Sequence, residues 1–270
     1  MLWRIIELYT LLDMIVIKNR CGLLVSCFAL LTLVGCTRTE SNSAASVESN
    51  TAASVLLFNG TGTSPDDVAA IGKILKEKGF DYATANSKQL NEMSESQLMA
   101  YRLIIVPGGN YITIGNNLKP ETTRRMQNAV HGGVNYLGIC AGGLLAGKAK
   151  CNSLNLTSGV RFGFYSVVNR GIHKAAVPIT CVEAPVIEHY WEDGPQFSGW
   201  GLVVGKYPDE TPAIVEGAFG KGWVILCGVH PEAPESWRRD MVFSTTARAA
   251  NDYTETIVNA ALTGTQLPHF

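Results

Sequence analysis

Short unbroken apolar runs at 54–59, 103–107, 134–139 and 223–227 alternate with amphipathic stretches along this chain. A run without polar alternation is the mark of a parallel strand covered on both faces. The first run is followed by Ser64-Pro65-Asp66-Asp67, which combines a capping hydroxyl, a proline at the first helical position and acids in the first turn. These signals predict a helix to Lys78, where Gly79 stops it. A short strand over 81–86, a weak helix over 94–101 and a helix over 121–130 closed by Gly132-Gly133 complete the first half. Strands alternating with helices predict a doubly wound, mostly parallel α/β sheet flanked by helices, with ligands at the strands' carboxyl ends.

Beyond Cys151 the texture changes. Shorter expected strands over 160–169, 175–181 and 185–190 read as a β-rich insertion or edge. Residues 213–216 and 223–227 then pair around a turn at 217–222, and a helix over 236–261 closes the fold. With no internal repeat and no break in texture after Ala53, one domain over 54–265 is expected.

The first 53 residues carry a different message. Lys18 and Arg20 precede an apolar stretch, 21–35, that is shorter than the roughly 20 residues a membrane-crossing helix needs. Residues 1–35 therefore read as a signal peptide, for which Met14 is a better start than Met1. Leu33-Val34-Gly35-Cys36 resembles a bacterial lipobox, which implies lipidation at Cys36. Residues 36–53 are mostly Ser, Thr, Asn, Ala and Glu and read as a solvated tether. The expected location is the bacterial cell envelope, at the outer membrane facing the periplasm, because no Asp follows Cys36. An ordinary secretory peptide or an uncut anchor remains the alternative.

Of the 270 residues 46% are hydrophobic, enough for a substantial core, and the 22 Lys and Arg balance 23 Asp and Glu. Without a basic stripe, nucleic acid is not an expected partner. Gly60 and Gly62 invite a dinucleotide-binding reading, but no third glycine follows at the required spacing.

Candidate chemistry gathers where the buried runs end. Gly138-Ile139-Cys140-Ala141-Gly142-Gly143, with Leu144 starting a helix, has the form of a nucleophile elbow: a sharp strand-to-helix turn whose neighbours must be small. A thiol over a helix N-terminus is favoured as thiolate. The late run ends in His230-Pro231-Glu232. Imidazole can take the thiol proton and return it to a leaving amine, and Glu232 can hold its other ring nitrogen. Cys140, His230 and Glu232 are thus the expected triad. The N–H groups of Ala141 and of Gly108 or Gly109, after the third strand, form the expected oxyanion hole.

These pieces, Pro107-Gly108-Gly109, the Cys140 elbow, His189-Tyr190-Trp191-Glu192-Asp193-Gly194-Pro195-Gln196-Phe197 and His230-Pro231-Glu232, resemble the class I glutamine amidotransferase-like superfamily. The chain is similar most of all to the N-terminal domain family of biotin–protein ligases and its stand-alone bacterial relatives. The resemblance implies a flavodoxin-like sheet, assigns the triad roles to Cys140, His230 and Glu232, and places the Tyr190 segment in a loop near the site. Asn110, Tyr190 and Trp191 are the candidate pocket residues. Phe270 comes soon after the last expected helix, so neither a ligase nor a synthetase domain is expected, and an envelope compartment offers no ATP for amide transfer. The expected activity is hydrolysis of a small-molecule or peptide amide by a lipid-anchored thiol amidohydrolase without cofactor. A silent ligand-binding or scaffolding domain is the rival, and a glutaminase partner of a separate synthetase is a third option. Oligomeric state is left open.

Of the seven Cys, Cys21 and Cys27 would leave with the signal peptide. Export favours disulfides, and Cys151 with Cys181 is a candidate pair whose state spacing leaves open, while Cys227 reads as a core residue. The five His form no helix-spaced ligand pair, so no metal site is expected.

Overall fold

A computed structural model describes residues 53–165 and 173–270. The targeting segment, the Cys36 lipidation and the tether up to residue 52 lie outside the described residues, as do 166–169 of the expected strand over 160–169. The apolar runs form β1 (Val55–Phe58), β3 (Leu103–Val106), β4 (Asn135–Ile139) and β11 (Gly222–Cys227), with β2 (Tyr82–Ala85) beside β1. These five run parallel in the order β2-β1-β3-β4-β11. The chain leaves β1 for one edge and returns to the other side at β3, so a crevice opens beyond their carboxyl ends.

The apolar runs lack alternation because both faces are covered. Leu57, Ile105, Leu137 and Ile225 face one core with Ile71 and Leu75 of α1 (Pro65–Glu77) and Ile257 and Val258 of α7 (Ala247–Thr263). Leu56, Ile104, Tyr136 and Val224 face the other core with Met126 and Val130 of α5 (Pro120–Gly132) and Leu145 of α6 (Ala141–Ala146). Each fully buried aliphatic side chain contributes about 1.5–3 kcal/mol relative to exposure, so the strands are held from both sides. Helix α1 begins as its sequence predicts: the Ser64 side chain accepts from the Asp67 N–H, and Pro65 sits in the first turn.

Three short helices, each with a side-chain N-cap, are α2 (Ser87–Glu92), α3 (Glu95–Leu98) and α4 (Tyr111–Asn116), of which α2 and α4 escape the periodic pattern. The weak helix expected over 94–101 is therefore only α3. The closing helix also starts later than 236. Residues Glu235–Arg238 form a 3-10 turn, and Thr246 caps α7.

The second half extends the sheet with antiparallel strands, β11-β10-β9-β6-β7, where β6 is Lys174–Cys181, β7 Ile187–Glu192, β9 Leu202–Lys206 and β10 Pro212–Phe219. The expected turn at 217–222 is tighter, since Phe219 already pairs with Gly222. A separate ribbon joins β5 (Arg161–Phe164) to β8 (Pro195–Ser198). The Tyr190 segment, expected in a loop, is strand β7. The expected domain end at 265 also moves: Leu267 is buried, its N–H donating to Glu216, and Phe270 N–H donates to Val203 O. Among the described residues no helix is long and apolar enough to cross a membrane.

Candidate active site

Cys140 stands between β4 and α6 with φ 49° and ψ −105°, a left-handed backbone that costs a non-glycine residue on the order of 1–3 kcal/mol. The turn is held by its surroundings. Cys140 N–H donates to Cys227 O at 2.7 Å, and Tyr136 Oη donates to Gly142 O at 2.8 Å. A Cβ on Gly142 would collide with Val106 O, and one on Gly138 would come within 2.5 Å of Gly142 O. Small residues two places either side of the thiol are thus forced by backbone contact. Its Sγ lies 3.8 Å from Glu192 O and at the base of a cavity of about 380 Å³.

Strand β11, hydrogen-bonded to β4, delivers His230 to the same rim. The His230 N–H donates to Tyr190 O at 2.8 Å, and Nδ1 lies 2.9 Å from Glu232 Oε1. A second carboxylate reaches that nitrogen: Asp67 Oδ1, from the first turn of α1, at 3.1 Å. The three side chains are 4%, 1% and 6% exposed for His230, Glu232 and Asp67, so their charges interact almost without solvent. Burial opposes the charged ring, but the carboxylates of Glu232 and Asp67 and the Cys140 sulfur outweigh it, and the His230 pKa stands well above its ordinary value. With both carboxylates on Nδ1, the sulfur is left to Nε2.

The two acids differ. Burial raises both, yet Asp67 ends below its usual value because His230, the Ser64 hydroxyl and the Gly108 N–H all support its charge. Glu232 ends above its usual value, because burial and the Asp67 charge outweigh the help of His230. Among the described residues neither Asp67 Oδ1 nor Glu232 Oε2 has a hydrogen-bond partner of good geometry. Asp67 was legible only as a helix-start acid. No spacing rule links it to a histidine far along the chain.

The remaining candidates separate. Gly109 and Asn110 line the thiol cavity, but Asn110 Oδ1 is occupied as the cap of α4, accepting from Thr113 N–H. Gly108 sits against the Asp67 carboxylate and the His230 ring instead. Ala141 opens α6, where an N–H has no helical acceptor. Tyr190 faces the site, its ring 5.8 Å from that of His230. Trp191 does not: successive strand residues point to opposite faces, and its 1% exposed side chain sits in the core with Nε1 donating to Gly194 O. Trp237, from the 3-10 turn, takes the place expected of Trp191, 5.9 Å from His230 and 5.4 Å from Tyr190.

The candidate Cys151–Cys181 bridge is absent. Cys151 Sγ lies 3.7 Å from Tyr111 O and Cys181 Sγ 3.2 Å from Tyr253 Oη, in separate parts of the fold, and both thiols are free. Cys227 is a core residue, as expected. No metal site was expected, yet donor atoms of Asp67, His230 and Glu232 lie within 4.8 Å of one another. The raised His230 pKa fits a proton there.

Comparison with known proteins places this geometry. Residues 53–172 match the family described as biotin-protein ligase, N terminal. That segment is similar to the N-terminal domains of biotin–protein ligases. The match includes the Cys140 elbow but stops before His230 and Glu232, which the rest of the sheet supplies. PurLQS of Thermotoga maritima is similar in structure, with TM-score 0.50 and 18% identity over 76% of this chain and 97% of that one. The GH42 β-galactosidase Gan42B of G. stearothermophilus gives TM-score 0.51 and 14% identity over 80% of this chain and 31% of its own. A glutamine amidotransferase of Thermotoga maritima is a looser likeness, with TM-score 0.45, 13% identity and coverage of 78% and 89%. The chain spans about a third of the length of the β-galactosidase. At these identities the likeness is one of fold alone, a mostly parallel α/β sheet flanked by helices. A search of curated proteins finds no match.

Proposed function

We propose that this chain, with its likeness to biotin–protein ligase N-terminal domains, is a thiol amidohydrolase. The observation that carries the reading is the His230 ring, anchored through Nδ1 to Glu232 and Asp67 and lining the same cavity as the strained elbow thiol of Cys140. In this reading Cys140 Sγ attacks an amide carbonyl after giving its proton to Nε2. The N–H groups of Ala141 and of Gly108 or Gly109 receive the oxyanion. Imidazolium then protonates the departing nitrogen, the C–N bond breaks, and water deprotonated by the same ring hydrolyses the thioester.

Lipid attachment at Cys36 and a place in the bacterial envelope belong to the same proposal and are read from sequence alone. The rival, a binding domain on the same fold, is separated by thiol reactivity. Iodoacetamide labelling of Cys140, followed by mass spectrometry, is expected to slow at least tenfold in His230→Ala. Equal rates in both proteins would favour the binding domain.

A further inference from the structure

His230 lines two adjoining cavities. One is the thiol cavity of about 380 Å³ and the other a larger one of about 730 Å³, and both are lined by Ser64, Asp67, Glu192 and His230. The larger cavity has no part in holding the thiol. Its apolar wall is made by the Tyr190 and Trp237 rings, which lean on each other and edge-on against His230. Arg239, from the segment following the 3-10 turn, supplies a guanidinium with no ion pair among the described residues. Lys174 on the same wall is already engaged with Glu192 at 3.4 Å.

A thiol hydrolase divides its substrate at the scissile bond. The acyl half stays on sulfur, and the amine half leaves from the side of the acid that protonates it. The geometry points to the larger cavity, which adjoins the thiol cavity at His230, as the site of the amine half. Ammonia is about the size of water, which occupies roughly 30 Å³ in the liquid. A space of about 730 Å³ is in the range that holds a whole small molecule. Aromatic faces beside a guanidinium suit an amine that carries both an apolar side chain and an anion. We infer that the substrate is a secondary amide whose amine half is an amino acid with an apolar side chain, its carboxylate at Arg239, and that the primary amide of glutamine is not preferred.

This inference rests on the amidohydrolase reading for its direction of cleavage, but the cavity can be tested apart from turnover. In the first arm, acyl groups from a mixed library are presented to the purified protein both as primary amides and joined to L-phenylalanine, and Cys140-dependent release is read by mass spectrometry. The phenylalanine conjugates are expected to be cleaved at least tenfold faster, with that ratio falling toward one in Trp237→Ala and kept in Trp237→Phe. A ratio of one in the unaltered protein overturns the inference and leaves the amidohydrolase reading standing.

In the second arm, L-phenylalanine, L-phenylalaninamide and ammonium are titrated into Cys140→Ala and followed by NMR. Saturable binding of phenylalanine, weakened at least tenfold for the amide and in Arg239→Ala, is expected. Absence of hydrolysis in the first arm with binding in the second overturns the amidohydrolase reading and keeps the cavity assignment. Absence of phenylalanine binding overturns the cavity assignment.

Discussion

Asp67 Oδ1 lies 3.1 Å from His230 Nδ1, joining the first turn of α1 to the end of β11 through a buried ion pair. Asp67→Asn removes one of the charges that raise the His230 pKa, so the ring is expected to titrate at lower pH. A raised histidine contributes stability in full below its unfolded pKa of 6.5 and loses it as pH rises through the folded value. In the variant that loss should begin earlier on the alkaline side. The depressed Asp67 contributes stability above its unfolded 3.8, lost as pH falls through the folded value, and this acid-side loss should disappear. Histidine NMR titration and melting temperature against pH read both limbs. An unchanged His230 titration would refute the pairing.

Gly142→Ala drives a methyl into the Val106 carbonyl at the elbow. Overpacking of this kind costs about 1–3 kcal/mol, and the backbone shift it forces would move Cys140. Urea denaturation should show the loss, together with slower Cys140 alkylation.

Glu216 is fully buried in β10, with Oε2 accepting from Trp223 Nε1 and Oε1 from Leu267 N–H. Both oxygens meet donors, so Glu216→Gln turns an amide NH₂ toward one of them and is expected to fail as a replacement. Each donor left unsatisfied costs about 1–3 kcal/mol, and Glu216→Ala should lose at least as much as Glu216→Gln. Chemical denaturation measures the loss, and faster hydrogen exchange over 265–270 locates it.

Unfolding without reductant should leave Cys140, Cys151, Cys181 and Cys227 all open to alkylation, because each is a free thiol. In the folded protein Cys227, wholly buried within the sheet, should react last. Mass mapping that found Cys151 joined to Cys181 would contradict this arrangement.

What sequence discloses of this fold follows from the range over which each signal acts. The strands β1, β3 and β4 are legible because an apolar run announces two covered faces without reference to anything else, and α1 because Ser64, Pro65 and Asp67 act within a single turn. The elbow is legible for the same reason, since Gly138 and Gly142 are local answers to a local collision. Helices α2 and α4 are too short to establish a period. Strands β8 and β9 are separated by Gly199 and Gly201, and β8 is buried at alternate residues and β9 at only two neighbouring ones, so neither stands out as a long buried run. The opposed sides of Tyr190 and Trp191 depend on the strand expected over 185–190 continuing as β7 to Glu192, and placing the segment from Tyr190 in a loop put both in the pocket. Asp67 and Trp237 reach His230 only through tertiary packing.

The reactive centre is assembled from the ends of β1, β3, β4 and β11, with the seam between β4 and β11 bringing together segments nearly a hundred positions apart. A nascent or clipped polypeptide lacking β11 therefore possesses a sulfur but neither its proton acceptor nor the counter-charges. On the proposed reading, chemical competence would arrive only with the last strand of the parallel half, and an incomplete molecule would be inert.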